Sequence, residues 1–220
     1  MLTLENFDNR LLDRITEHKL MKYLATDDLT QEQVEFALGQ YWYPIHFFPD
    51  FLAHVITKSD KLEVKTFVSK VLYQELGEGS LKKSHEVLFT KVLPGFDVSS
   101  MAQNEPTQQL MSLFEQSCKS YETGVGFFYA TEALDLTIVT GLSVAIKNLR
   151  GKSQLPWETI HLVQEPDHTD CVDSIFFNHL NKLEQDRVIE ATHDAWIAWD
   201  KFFCGIYDGM KNLIKEPCAA

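Results

Sequence analysis

Apolar residues recur three and four positions apart over most of the chain, the spacing that puts them on one face of a helix. Residues 5–24 carry Leu11, Leu12 and Ile15 in this pattern, after Leu4. Thr30 begins Thr-Gln-Glu-Gln, an N-cap ahead of a run bearing Phe36, Tyr41, Trp42, Tyr43, Phe47, Phe48 and Phe51. Pro44 and Pro49 lie inside that run, so a long helix that bends is expected. Residues 60–76 read as the next helix, broken at Gly77-Glu78-Gly79 and resumed through His85 to about residue 93. Residues 94–106 read as loop. Helices follow over about 107–120, from 121 to a glycine stop at Gly151, from about Trp157 behind Pro156, and over 183–214. The chain has no alternating strand pattern of useful length and no repeat. The expectation is an all-α bundle of about seven helices, one domain over residues 1–220.

Composition narrows the function. Apolar residues at 45% and aromatics at 12% describe a globular chain with enough material for a core. The net charge of −12 argues against nucleic acid or an anionic membrane as partner. Uninterrupted apolar runs are too short to span a bilayer, and the first residues lack the pattern of a signal peptide. Cys118, Cys171, Cys204 and Cys218 are far apart and form no CxxC, so reduced, core-filling thiols and a cytoplasmic location are expected.

The candidate chemistry centres on His161, Glu165 and His168, spaced His-x3-Glu-x2-His. On a helix these positions aim two imidazoles and a carboxylate at one point, a donor set that suits iron, manganese or zinc better than magnesium or calcium. Glu132 stands in the apolar segment Gly-Phe-Phe-Tyr-Ala-Thr-Glu-Ala-Leu-Asp, where an unpaired carboxylate is costly; the alternative is a solvent-facing glutamate, with Asp135 one turn on. Glu75 and His85 flank the Gly-Glu-Gly break. On an unbroken helix Glu78, seven residues before His85, would share its face, while Glu75 would lie about 80° round. Helical geometry alone favours Glu78, but the glycines break that helix and leave Glu75 open.

In order, Glu75…His85…Glu132…His161-x3-Glu165-x2-His168 resembles the haem-oxygenase-like diiron oxidases and oxygenases, in the superfamily that holds the TenA-, PqqC- and CADD-like proteins. Gln40–Pro49 is similar to the family's aromatic second helix, and Trp199–Ile206 to its closing helix. The choice of Glu75 over Glu78 follows from the resemblance, in which the glutamate precedes a glycine-containing turn. The resemblance implies a haem-oxygenase-like (TenA-like) bundle, two non-haem irons per chain on those six residues, O2 activation and oxidation of a small substrate: an amino acid, amine or fatty acid. A homodimer is compatible with it. Two departures stand out. The fifth ligand is more often Asp in the family, and Pro166 after Glu165 predicts a kinked or partly unwound stretch over 160–173. A subgroup consumes its own tyrosine and lysine, but Met21, with Tyr23 nearby, and Leu142 fill those positions.

Other readings are weighed beside this one. Glu165-x2-His168 with Glu190-x2-His193 gives two ferritin-like motifs in the wrong helix order. His18 lies where relatives hold haem, but between Glu17 and Lys19 it reads as solvated. A metal-free thiamin-salvage hydrolase of the superfamily needs a nucleophilic cysteine, and neither Cys118 nor Cys204 has an activating neighbour in sequence. A non-catalytic ligand-binding member is the remaining alternative. His46, His54 and His179 have no ligand-like context; His46 reads as a core or pocket residue.

Overall fold

The computed structural model describes residues 9–26, 28–151 and 154–213; the beginning of the first expected helix and Cys218 lie outside them. Among the described residues are nine α-helices and no strand: α1 (Asn9–Thr16), α2 (Lys19–Leu24), α3 (Gln31–Lys58), α4 (Leu62–Glu75), α5 (His85–Phe89), α6 (Glu105–Ser117), α7 (Tyr121–Arg150), α8 (Pro156–His179) and α9 (Lys182–Asn212). Short 3-10 turns lie at Leu81–Lys83 and Val98–Ser100.

The helix ends follow local chemistry. Thr30 and Gln33 form a reciprocal capping box at the start of α3, as do Asn181 and Glu184 at the start of α9. α3 stays helical through both Pro44 and Pro49. The single helix expected over 5–24 is divided, because His18 accepts the Leu20 N–H through Nδ1 (3.1 Å) and so begins α2. His18 is therefore not solvated: it is 7% exposed, and its Nε2 lies 3.3 Å from Cys204 Sγ. The helix expected to run to residue 93 stops at Phe89.

α7 is the central element, packed against α9, α8 and α3. By length and composition alone it could cross a membrane; Glu132 and Asp135 interrupt its apolar run in the sequence. In the bundle its apolar side chains, among them Phe127, Phe128, Leu134 and Ile138, are buried. Gly126 lets α9 close onto it: a Cβ there would stand 2.5 Å from the Val188 carbonyl oxygen. Thr192 Oγ1 donates to the Gly126 carbonyl (3.0 Å) across the same contact. Phe51, Phe114 and Phe127 interlock at centroid distances of 4.0–5.8 Å, fixing α3 and α6 on this helix.

Candidate metal centre

Glu75 ends α4 and His85 opens α5, so the turn between them decides how they meet. Gly77, Glu78 and Gly79 all have positive φ (78°, 55° and 83°). A Cβ on Gly77 would lie 2.4 Å from the Ser80 carbonyl oxygen and the Ser84 nitrogen, so only glycine fits. The reversal brings Glu75 Oε2 to 2.8 Å from His85 Nδ1. Two ligands of one cation, each about 2.1 Å from it at right angles, would stand about 3 Å apart. Glu78, which an unbroken helix would have favoured, is exposed.

The facing helices supply the rest. His168 Nδ1 lies 3.2 Å from Glu132 Oε2 on α7, 3.7 Å from Glu165 Oε2 and 3.8 Å from Glu75 Oε1. One donor atom each from Glu132, Glu165 and His168 lies within 4.8 Å of the others. The His85 and His161 rings are 4.3 Å apart between centroids. Five of the six residues singled out from the sequence thus line one cavity, His168 stands behind it against Glu132, Glu165 and Glu75, and none of the six is more than 9% exposed. Asp135 joins them: its Oδ2 is 3.8 Å from His161 Nε2 and its Oδ1 accepts the Tyr41 hydroxyl at 3.2 Å. Its position one turn after Glu132 on an apolar helix was the available signal.

α8 remains helical through Pro166, contrary to the unwinding expected over 160–173. Pro166 is exposed and Leu162 is 55% exposed, so the lost hydrogen bond falls on the solvent side, where carbonyls can turn to water. Asp167, just beyond, also ties this turn to α4 by accepting from Lys70 Nζ (2.5 Å) and Gln74 Nε2 (3.1 Å).

Two of the imidazoles are held by their outward nitrogens. His161 Nδ1 lies 2.7 Å from the Trp157 carbonyl and must donate to it, leaving Nε2 as the lone pair in the cavity. His85 Nε2 lies 2.8 Å from Gln164 Oε1, an acceptor, which turns Nδ1 toward Glu75. Such anchoring of the second ring nitrogen accompanies metal-ligating histidines. No sequence pattern marked Gln164.

Crowded carboxylates set the electrostatics. Burial opposes ionisation of Glu75, but His85, His168 and His161 beside it bring its pKa down to about 2. Burial likewise opposes protonation of His168, yet the Glu132 and Glu75 carboxylates raise it to about 9. Burial and the neighbouring Glu132 and Asp135 carboxylates push Glu165 well above the usual carboxylate range. Three imidazoles and four carboxylates, with Asp135 Oδ2, His85 Nδ1 and His168 Nε2 buried and finding no hydrogen bond among the described residues, fit divalent cations of the iron type. The cavity at this site measures about 30 Å3 and is walled by Tyr41, Phe48 and Trp199 among others.

The remaining candidates lie elsewhere. His46 is neither core nor pocket: its side chain is 55% exposed, paired with Glu86 (2.7 Å) and stacked on Trp42. Glu190, His193 and His54 are exposed, so the second ferritin-like motif does not face the bundle interior. Burial raises the thiols of Cys118 and Cys171 to about 11 and that of Cys204 upward as well, the reverse of an activated nucleophile.

An all-helical bundle of this topology is of the haem-oxygenase-like class. Among solved structures it is similar to a CADD-like protein of unknown function from Nostoc punctiforme (14% identity, 96% of this chain and 99% of that one, TM-score 0.78). It is also similar to a domain of unknown function with a heme oxygenase-like fold from Shewanella denitrificans (12%, 98% and 96%, TM-score 0.74). A TenA homolog from Pseudomonas syringae gives 11% identity over 93% of this chain and 90% of that one, with TM-score 0.70. No curated protein matches the sequence. The sequence model of the iron-containing redox enzyme family matches residues 35–200, and the chain belongs to that family.

Proposed function

We propose that the protein is a non-haem diiron oxidase or oxygenase that uses O2 to oxidise a small substrate such as an amino acid, amine or fatty acid. The observation that carries this reading is the meeting of three imidazoles and four carboxylates, from α4, α5, α7 and α8, at one small buried site. Membership in the iron-containing redox enzyme family supports it. Glu75, His85, Glu132, His161, Glu165 and His168 would hold two irons, with Asp135 as a further carboxylate within reach. Bound ferrous iron would supply electrons and open positions for O2.

The chain's own residues prepare that site. Trp157 and Gln164 hold the outward nitrogens of His161 and His85, so neither ring must reorient to ligate. The anionic carboxylates offset most of the charge of two divalent cations, which a buried site requires. Tyr41, Phe48 and Trp199 restrict bulk water at the cavity, where electrostatic interactions are stronger for its absence.

Anaerobic loading with Fe(II), followed by metal quantification, tests the reading. About two irons per chain are expected, with most of the iron lost in His161→Ala and in Glu132→Ala. Both variants loading iron like the parent would overturn the ligand assignment.

A further inference from the structure

The cavity at the candidate centre, about 30 Å3, has room for ions and a water-sized molecule but not for an organic compound, which takes roughly 300 Å3 or more. A second, larger recess is separated from it by the His85–Gln164 pair. This groove, about 550 Å3, runs between the Gly77–Gly79 turn, α5 and the first half of α8. Gln164 links the two: its Oε1 accepts from His85, which lines the cavity, and the residue itself lines the groove. An occupant of the groove therefore sits one side chain away from the candidate metal centre.

The lining has a definite chemistry. Leu88, Ile160 and Val163 give it an apolar wall, and Val163 is 72% exposed. Lys83 contributes an ammonium and Glu78 a carboxylate, both exposed. Neither charged group pairs with another side chain among the described residues, and the Gln164 NH2 donates to none of them. Glu78 is held in place by the backbone: its positive φ is part of the turn, and its main-chain carbonyl accepts the Tyr73 hydroxyl at 2.9 Å. One cationic group with an amide donor, one anionic group and an apolar wall complement a molecule that carries a carboxylate, an ammonium and an apolar body.

We propose that this groove binds a small zwitterionic amino acid with an apolar side chain, its carboxylate on Lys83 and the Gln164 amide and its ammonium on Glu78. The site stands independently of iron, so it is tested on the metal-free full chain by calorimetric titration with L-leucine. Three fragments serve as controls: 4-methylpentanoate lacks the ammonium, 3-methylbutylamine lacks the carboxylate, and glycine lacks the apolar body. Leucine is expected to bind saturably, and each fragment about tenfold more weakly or less, the loss of one charge-assisted contact or of the apolar one. Lys83→Met and Glu78→Gln, both at exposed positions, should each weaken leucine about tenfold while leaving the melting temperature unchanged. The proposal is overturned if leucine gives no saturable binding, or if both variants bind it like the parent. It is overturned equally if 4-methylpentanoate binds as well as leucine and Glu78→Gln has no effect, since the groove would then be a site for carboxylates alone. Iron content plays no part in these readouts, so their failure leaves the metal centre untouched.

Discussion

Glu75 and His85 stand ten residues apart in sequence, yet their side chains meet at 2.8 Å because the backbone between them reverses through three consecutive residues of positive φ. The turn, rather than any helical periodicity, makes the pair. Glu75→Gln should therefore lose iron, whereas Glu78→Gln should load as the parent does, by metal analysis after anaerobic loading. Iron lost only in the Glu78 variant would reverse the assignment. Gly77→Ala should destabilise the fold by about 1–3 kcal/mol in urea unfolding, through a disfavoured φ and a backbone clash.

Among the described residues, Gln164 reaches the candidate centre through His85 Nε2. Replacing it with leucine removes the acceptor that orients the His85 ring. Iron affinity should fall roughly 10- to 100-fold with little change in melting temperature. Gln164→Glu, which keeps an acceptor, should restore most of it. Equal affinities in all three proteins would exclude a positioning role.

Asp135 offers a buried oxygen 3.8 Å from His161 Nε2. If it completes the set of ligands, Asp135→Asn should lower the affinity for one of the two irons about tenfold or more and spare the other, giving a biphasic Fe(II) titration. A titration that superimposes on the parent's would confine Asp135 to its hydrogen bond with Tyr41.

His18 gives a pH dependence remote from the metal centre. Burial, the largest influence on it, lowers its pKa below the ordinary 6.5. The unfolded chain therefore takes up a proton near pH 6.5 that the folded chain refuses, and stability falls as the pH drops below that value, by at most about 1.4 kcal/mol per pH unit. His18→Asn retains an N-cap acceptor but does not titrate. The stability lead of the parent over this variant at pH 7.5 should shrink by pH 5.5 in urea unfolding. Parallel pH profiles would refute the assignment.

Much of the helical architecture was legible because buried faces repeat every three to four residues, and Thr30 and Gly151 mark their ends as chain chemistry dictates. The six candidate ligands were legible as a pattern in order, each a polar residue on an otherwise apolar face. What escaped detection depends on three-dimensional neighbours. His18 divides the first helix because Cys204 and Phe203 of α9 bury it, and nothing near it in sequence announces them. His46 lies outside because Trp42 and Glu86 hold it there. Pro166 does not break α8 because its face is the wet one, and the triplet's spacing alone does not say which face that is.

The two anchored imidazoles differ in what can loosen them. His85 depends on a side chain, so a single-codon change at Gln164 can free it. His161 leans on the main-chain carbonyl of Trp157, which every amino acid at that position would provide. Genetic drift can therefore retune one half of the centre while the other stays fixed by the helix itself.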